Sequence, residues 1–394
     1  MPETLCSLSP VRLSRCRPHM ASNMRARSTI PAPCALLPSK EPDLLPDSFE
    51  RSRPDLFDLR RTGIDPDYWY PLAWSGEIRK GKATGRHFAG DPIVLVRGES
   101  GRVYALEDRC AHRQVPLHAG VVEGDCLRCC YHGWTYDASG GCIDVPYLGK
   151  DKLPNGVRAY PCQEKDGLVF IFPGDPAHAE TTPLPALPSI SDPAYRTRRF
   201  GREVACHYSF MHENLMDMNH QFLHRKQMGQ IRPRYLGHDT GEDWLEVRYS
   251  FARTAGRQPL GERLIFGTRE GKAEPNDSLM TIRTDYPYQR LTIDLKSDRV
   301  MQLWIVYVPL DKDQKRIRTF GLLSVRKPRA AFLLHAAWPL LGWFTERIFS
   351  EDRWIVEQEQ AAHDALGGNM NQEPFPVIRA LQDLLARRGR LLSF

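Results

Sequence analysis

The sequence predicts an α+β protein in two parts: a small all-β domain, then a domain of antiparallel sheet and helices. Three observations predict it. From about residue 67 to Pro173 the chain reads as short β-branched and aromatic runs separated by turn signals. A proline-rich connector, "PGDPAHAETTPLPALPSISDP", follows. Beyond it, strand-like runs are bracketed by an early and a late segment of helical character. The 394 residues suffice for two domains, and 41% hydrophobic residues suffice for a large core.

Residues 1–66 show little apolar periodicity and read as a disordered or extended segment, which places the two domains at 67–175 and 176–394. The first 30 residues hold Arg12, Arg15, Arg17, Arg25 and Arg27 against Glu3, and so most of the net charge of +6. The remainder is nearly neutral and shows no basic stripe with interleaved aromatics, which argues against a nucleic-acid partner. The first 40 residues lack the apolar centre of a secretory signal. A polar tail, or a start at Met20 or Met24, is preferred to a transit peptide, and the cytoplasm is the expected location.

Within the first domain, "DPIVLVRGESGRVYALED" reads as a hairpin and "GLVFIF" as a buried strand. In the second, "MHENLMDMNHQFLHRKQM" reads as a helix. "DWLEVRYSF", "LTIDLKS", "MQLWIVYVPL" and "RTFGLLSVR" read as strands, and "ERIFSEDRWIVEQEQAAHDAL" as a strong helix. The apolar stretch at 330–344 is too short for a membrane span and is interrupted by His335 and Pro339. It reads as a buried amphipathic helix or a hydrophobic lid.

Chemistry concentrates in two segments. "RCAHRQVPLHAGVVEGDCLRCCYHGW", from Arg109 to Trp134, packs four cysteines and three histidines. Without a secretion signal, clustered cysteines read as metal ligands rather than disulfides. Cys110 and His112 form a C-x-H pair, and Cys129 and His132 a C-x-x-H pair. Two thiolates and two imidazoles can hold zinc. They can also hold a [2Fe–2S] cluster in which two histidines ligate one iron. Cys126 and Cys129 offer a C-x-x-C zinc alternative. The C-x-x-H register selects Cys129 over its neighbour Cys130, leaving Cys126 and Cys130 structural and His118 outside both pairs.

The second segment is "HENLMDMNHQFLHR", from His212 to Arg225. On a continuous helix, Glu213, Asp217, His220 and His224 would share one face. Two histidines four residues apart, with an acid three residues earlier, read as a ligand pair and its hydrogen-bonded orienter. The matching chemistry is the 2-His-1-carboxylate site of non-haem Fe(II) oxygenases, whose carboxylate must come from elsewhere in the chain.

Both segments resemble the Rieske non-haem iron oxygenases, over about residues 67–365. The family's pattern of C-x-H, a loop, then C-P-Y-H-G-W is matched by Cys110, His112 and Cys129-Cys130-Tyr131-His132-Gly133-Trp134, with Cys130 standing where the family has proline. The family's N-x-x-D-x-x-H is matched by Asn214, Asp217 and His220, with the second histidine at His224. The resemblance implies a Rieske domain followed by a catalytic domain of helix-grip type. It implies a [2Fe–2S] cluster on Cys110, His112, Cys129 and His132. It implies a mononuclear Fe(II) on His220, His224 and Asp352, the last from "SEDRWIVEQEQ", with Glu351 and Glu357 as alternatives. Asp217, in the catalytic motif with Asn214, would hydrogen-bond His220 and bridge to a neighbouring subunit's His132 in a homotrimer of the single-subunit class.

The same resemblance implies O2 as co-substrate. NAD(P)H electrons would arrive through a ferredoxin or a flavin/iron–sulfur reductase, with Arg109, Arg113 and Arg128 as a basic landing. The substrate would be small, apolar and ring-containing, hydroxylated or oxidatively demethylated, an expectation to which Phe210, Met211, Met218 and Phe222 add a hint. The rival readings are an electron-transfer Rieske protein without oxygenase activity and a zinc-binding interaction protein.

Overall fold

The computed structural model describes residues 58–148, 153–187, 190, 192–255, 278–295, 298–328 and 331–392. The expectation for residues 1–57 lies outside these. Residues 58–66, read from sequence as part of the extension, are built into the fold. Leu59, Arg60 and Ile64 are buried, and Thr62–Gly63 pairs antiparallel with Arg390–Leu391 near the other end of the chain. No apolar period announced this segment because its anchors are single residues, one of them an arginine.

The first part consists of three small antiparallel sheets. One joins Lys82–Phe88, Asp91–Arg97, Val103–Glu107 and Ala159–Tyr160; the second joins Cys162–Lys165, Leu168–Ile171 and Tyr70–Trp74. The third is a ladder of Val121–Glu123, Cys126–Arg128, Thr135–Tyr136 and Cys142–Asp144. The uninterrupted apolar run in Asp91–Arg97 has a structural reason. Successive strand residues face opposite ways. Ile93 and Leu95 enter the main core, while Val94 and Val96 enter a second core under the Cys/His loops, with Leu106, Leu117, Leu127 and Tyr136.

The second part is one large sheet. Its path strands are β1 (Tyr195–Phe200), β2 (Gln230–Thr240), β3 (Trp244–Ala255), β4 (Ser278–Asp285), β5 (Tyr288–Leu295), β6 (Asp298–Pro309) and β7 (Ile317–Arg326). They run in the order β1-β7-β6-β5-β4-β3-β2, all antiparallel, and Glu203–Val204 adds to β7. Helices α1 (Tyr208–Met216), α2 (Ala331–Leu366) and α3 (Pro376–Arg388) pack with it. Residues 331–344 of the apolar stretch and the predicted late helix belong to one 36-residue helix, α2, which runs through Pro339; residue 330 lies outside the described residues.

The two parts share one core. Trp69, Tyr70, Phe170 and Phe172 from the first pack in the same cluster as Tyr208, Phe210, Trp304 and Tyr307 from the second. Hydrogen bonds also cross: Ala89 N–H donates to Pro309 O at 2.8 Å, and the Tyr288 hydroxyl donates to Trp69 O at 2.7 Å.

Candidate metal centres and the adjoining cavity

The Cys/His loops are built alike. In the first, Cys110 N–H donates to Val115 O and Gln114 N–H to Cys110 O, both at 2.9 Å. In the second, Cys129 N–H donates to Trp134 O at 2.8 Å and Gly133 N–H to Cys129 O at 3.2 Å. Each loop is closed by the same pair of bonds, and each carries a left-handed residue at its fifth position, Gln114 at φ 60° and Gly133 at φ 72°. Glycine is the residue suited to that conformation; Gln114 adopts it at some cost in strain.

The loops hold their two residue types in different environments. Cys110 and Cys129 are 2% and 3% exposed, whereas His112 and His132 are exposed at the tips. The two imidazoles lie 4.6 Å apart, and His112 stacks on Trp134 at 4.8 Å. The Tyr136 hydroxyl accepts from Ala111 N–H at 3.0 Å and lies 3.2 Å from Cys110 Sγ, so its O–H is placed to donate to the sulfur. Burial raises the Cys129 thiol pKa. Two sulfurs below and two imidazoles above are the donor set of a two-iron cluster ligated by thiolates on one side and histidines on the other. Cys130 is exposed and Cys126 half-buried on the ladder. His118 hydrogen-bonds Asp108. Arg109 pairs with Glu107 and Arg128 with Glu123, so two of the three basic residues are already engaged within the chain.

The second centre departs from the expected continuous helix. Helix α1 ends at Met216, and Asp217 breaks it with extended backbone at φ −87°, ψ 97°. A short 3-10 turn, Met218–Phe222, follows. The break is chemically driven: the Asp217 carboxylate caps the new turn by accepting from Asn219 N–H at 2.8 Å, the competition that makes aspartate a poor residue inside a helix. The four residues therefore do not share a face. Glu213 points away and pairs with the buried Arg60 at 2.6 Å. Asp217 meets His220 through its main-chain carbonyl, which engages Nδ1, and not through its carboxylate.

The turn nevertheless brings His220 and His224 together with Asp352 of α2. One ligand atom from each lies within 4.8 Å of the others. His224 Nε2 is 3.0 Å and His220 Nε2 3.8 Å from Asp352 Oδ1. Each imidazole is oriented by its other nitrogen: His220 through the Asp217 carbonyl, His224 through Glu351 Oε2 at 2.9 Å. With Nδ1–H donated outward, both Nε2 atoms present lone pairs to a carboxylate, an arrangement that calls for a cation. Asn214 Nδ2 donates to Asp352 Oδ1 at 3.1 Å and fixes the carboxylate. Burial would raise the Asp352 carboxyl, but His224, His220 and Asn214 outweigh it and hold its pKa below the ordinary value. Of the alternatives for the carboxylate, Glu351 orients His224 and Glu357 pairs with Arg353 at 2.8 Å.

This cluster opens on a cavity of about 240 Å³. Leu215, Met218, Tyr249, Phe251 and Met280 form part of its wall, and Ile293, Met301, Leu303, Phe344 and Phe349 another. Of the four apolar residues noted in the sequence, Met218 lines it. Phe210 and Met211 are buried in the core instead, and Phe222 is 70% exposed under Arg225. About half of the wall comes from sheet residues far apart in sequence, which no local motif marks.

Residues 68–161 match the family model described as the Rieske [2Fe-2S] domain, and residues 204–390 that of the vanillate O-demethylase oxygenase C-terminal domain. The 4beta-methylsterol monooxygenase of Methylococcus capsulatus is 30% identical over 345 residues, covering 83% of this chain and 89% of that protein. The dicamba O-demethylase oxygenase component of Stenotrophomonas maltophilia is 39% identical over 159 residues, covering 40% of this chain and 47% of that protein. Among solved structures, dicamba monooxygenase bound to dicamba superposes with a TM-score of 0.66 at 24% identity, over 82% of this chain and 98% of that one, a likeness of fold.

Proposed function

The chain belongs to the Rieske non-haem iron oxygenases, and on that premise we propose that it oxidises an apolar, ring-containing substrate in the cavity beside His220, His224 and Asp352. It is an oxidoreductase, a monooxygenase or O-demethylase in type, with a [2Fe–2S] cluster and a mononuclear non-haem iron. In our assignment Cys110, His112, Cys129 and His132 hold the first group, and His220, His224 and Asp352 the second. When bound, these groups supply single-electron transfer and the reduction of O2 beside the substrate.

The chain's own residues carry the rest. Glu351 and the Asp217 carbonyl fix the imidazole tautomers, and Asn214 fixes Asp352. The apolar wall excludes water and gives the substrate few polar anchors, so shape and hydrophobic burial hold it. Oxidation of a methyl-bearing carbocycle is the favoured reaction, because the relative matched along most of its length is named for a methylsterol. Electrons would come from a ferredoxin or reductase, as fits relatives named as the oxygenase component or subunit of larger systems. The half-buried Asp217 carboxylate, held through Oδ1 by Asn219 rather than placed on His220, would use its other oxygen as a bridge to a neighbouring subunit in a homotrimer. We assign the protein to the cytoplasm; among the described residues no helix is long and apolar enough to cross a membrane.

The observation that carries this reading is the convergence of His220, His224 and Asp352 on the floor of an apolar cavity. Its test is iron and acid-labile sulfide per chain in anaerobically purified protein. About three iron and two sulfide are expected. His224→Ala should lose one iron, keep the cluster's colour and abolish substrate oxidation. An unchanged iron count in that variant would remove the assignment.

A further inference from the structure

One part of the cavity wall does not match the rest. Among the described residues that line it, the charged side chains other than the metal-ligand cluster are Arg198 and Glu346. Arg198 stands on β1, and Glu346 on α2, six residues before Asp352, about 9 Å along the helix axis. Arg198 Nη2 donates to Glu346 Oε1 at 2.7 Å, and Nη1 donates to the Thr345 hydroxyl. Arg202 engages the other Glu346 oxygen. The Arg198 side chain is 20% exposed, and burial lowers its pKa.

At 20% and 30% exposure the pair is only partly dehydrated, and such pairs contribute little to stability. As a tie between β1 and α2 alone, it gains the fold little. A guanidinium has five N–H donors. Thr345 and Glu346 occupy one on each Nη, so Arg198 retains donors beside the cavity. Glu346 is shared between Arg198 and Arg202; a carboxylate brought beside it would have to give up its hydration in an apolar cavity, whereas a neutral oxygen costs much less to bury there.

We infer that Arg198, held by Glu346 and Thr345, is a specificity-determining residue that hydrogen-bonds a neutral oxygen, hydroxyl or ketone, at the end of an apolar ring substrate remote from the oxidised carbon. The inference rests on the reading of the cavity as the substrate site. The expected substrate is therefore a rigid carbocycle with one neutral oxygen remote from the reacting position.

The test is equilibrium dialysis of the oxidised, cluster-loaded enzyme with three rigid probes of one shape: androstane, androstanone and an androstane carboxylic acid. The ketone should bind at least about tenfold more tightly than the hydrocarbon or the acid, the scale of one hydrogen bond to a charged group. Arg198→Met should bring the ketone down to the hydrocarbon's affinity while leaving the hydrocarbon within about twofold. Arg198→Lys should restore part of the preference. If Arg198→Met loses the cluster's colour and so its fold, Glu346→Gln serves in its place: it frees Arg198 of its charge partner and should strengthen the acid selectively. Equal binding of ketone and hydrocarbon by the wild type would overturn the inference. So would equal weakening of both by Arg198→Met, the result for a mere strut, and so would tightest binding of the acid or no binding of any probe. No turnover is required. Failure of the iron assignment would therefore show in the metal analysis and leave this result readable.

Discussion

Glu351 shows how a residue's role is set by its neighbour's unused atom. Its carboxylate takes the Nδ1 side of His224 and leaves Nε2 facing Asp352. Glu351→Gln should weaken iron retention by about 10- to 100-fold, the range for a lost partner of a ligating histidine, read by competition with a chelator. At the other centre, the Tyr136 hydroxyl stabilises negative charge on Cys110 Sγ. Reduction adds such charge, so Tyr136→Phe should keep the cluster but lower its reduction potential, measured by redox titration of the visible spectrum. The proposed Cys and His ligands were legible in the sequence because short spacing ties them: C-x-H, C-x-x-H and H-x-x-x-H pairs are local. Asp217 was legible as a site residue, but its contact was not, since a carbonyl bond to His220 depends on a break in the helix that periodicity alone does not reveal.

At the scale of elements, α1 and α2 are fixed by what lies behind them. Arg60 reaches Glu213 at 2.6 Å and lies 3.6 Å over the Phe210 ring, nearly buried. Arg60→Ala should destabilise the fold by about 3–5 kcal/mol, because Glu213 is left as an uncompensated charge; chemical denaturation would measure it. On α2, burial raises the Glu359 carboxyl, with the Glu213 charge adding to it, to a pKa of about 7. Its unfolded value is the lower one, so holding it ionised in the fold costs little below pH about 4.5 and most above about 7. Glu359→Gln should therefore stabilise the protein by about 1–3 kcal/mol at pH 8 and by much less at pH 5, a difference that paired thermal melts would show. Strands such as Asp298–Pro309 and Ile317–Arg326 were readable from their β-branched runs. The 36-residue length of α2 was not, because Pro339 is a breaking signal that tertiary packing overrides here: Leu334 and Leu341, on either side of it, are both buried.

For the molecule as a whole, the decisive feature is that the two parts share one core. Tyr68 packs edge-on against Tyr286 of the large sheet's β4–β5 turn at 5.2 Å, and Trp74 meets Phe320 of the large sheet at 5.6 Å. Glu77 of the first part pairs with Arg318 of the second at 2.6 Å. The two parts should consequently unfold in one cooperative transition, with cluster colour and far-ultraviolet circular dichroism lost together on heating; two separated midpoints would contradict the shared core. The sequence by itself determined the two-part α+β architecture and, through Cys and His spacings and the family they resemble, the proposed Cys and His ligands and the class of chemistry, because periodicity and ligand spacing act over a few residues. Tertiary structure alone decided which carboxylate meets the two histidines, that Glu351 orients where Asp352 converges, how residues 58–66 close on the C-terminal strand, and that an arginine ion pair interrupts an apolar cavity. Those are contacts between residues 100 or more positions apart in most cases, and their geometry comes from the packing of sheet against helix.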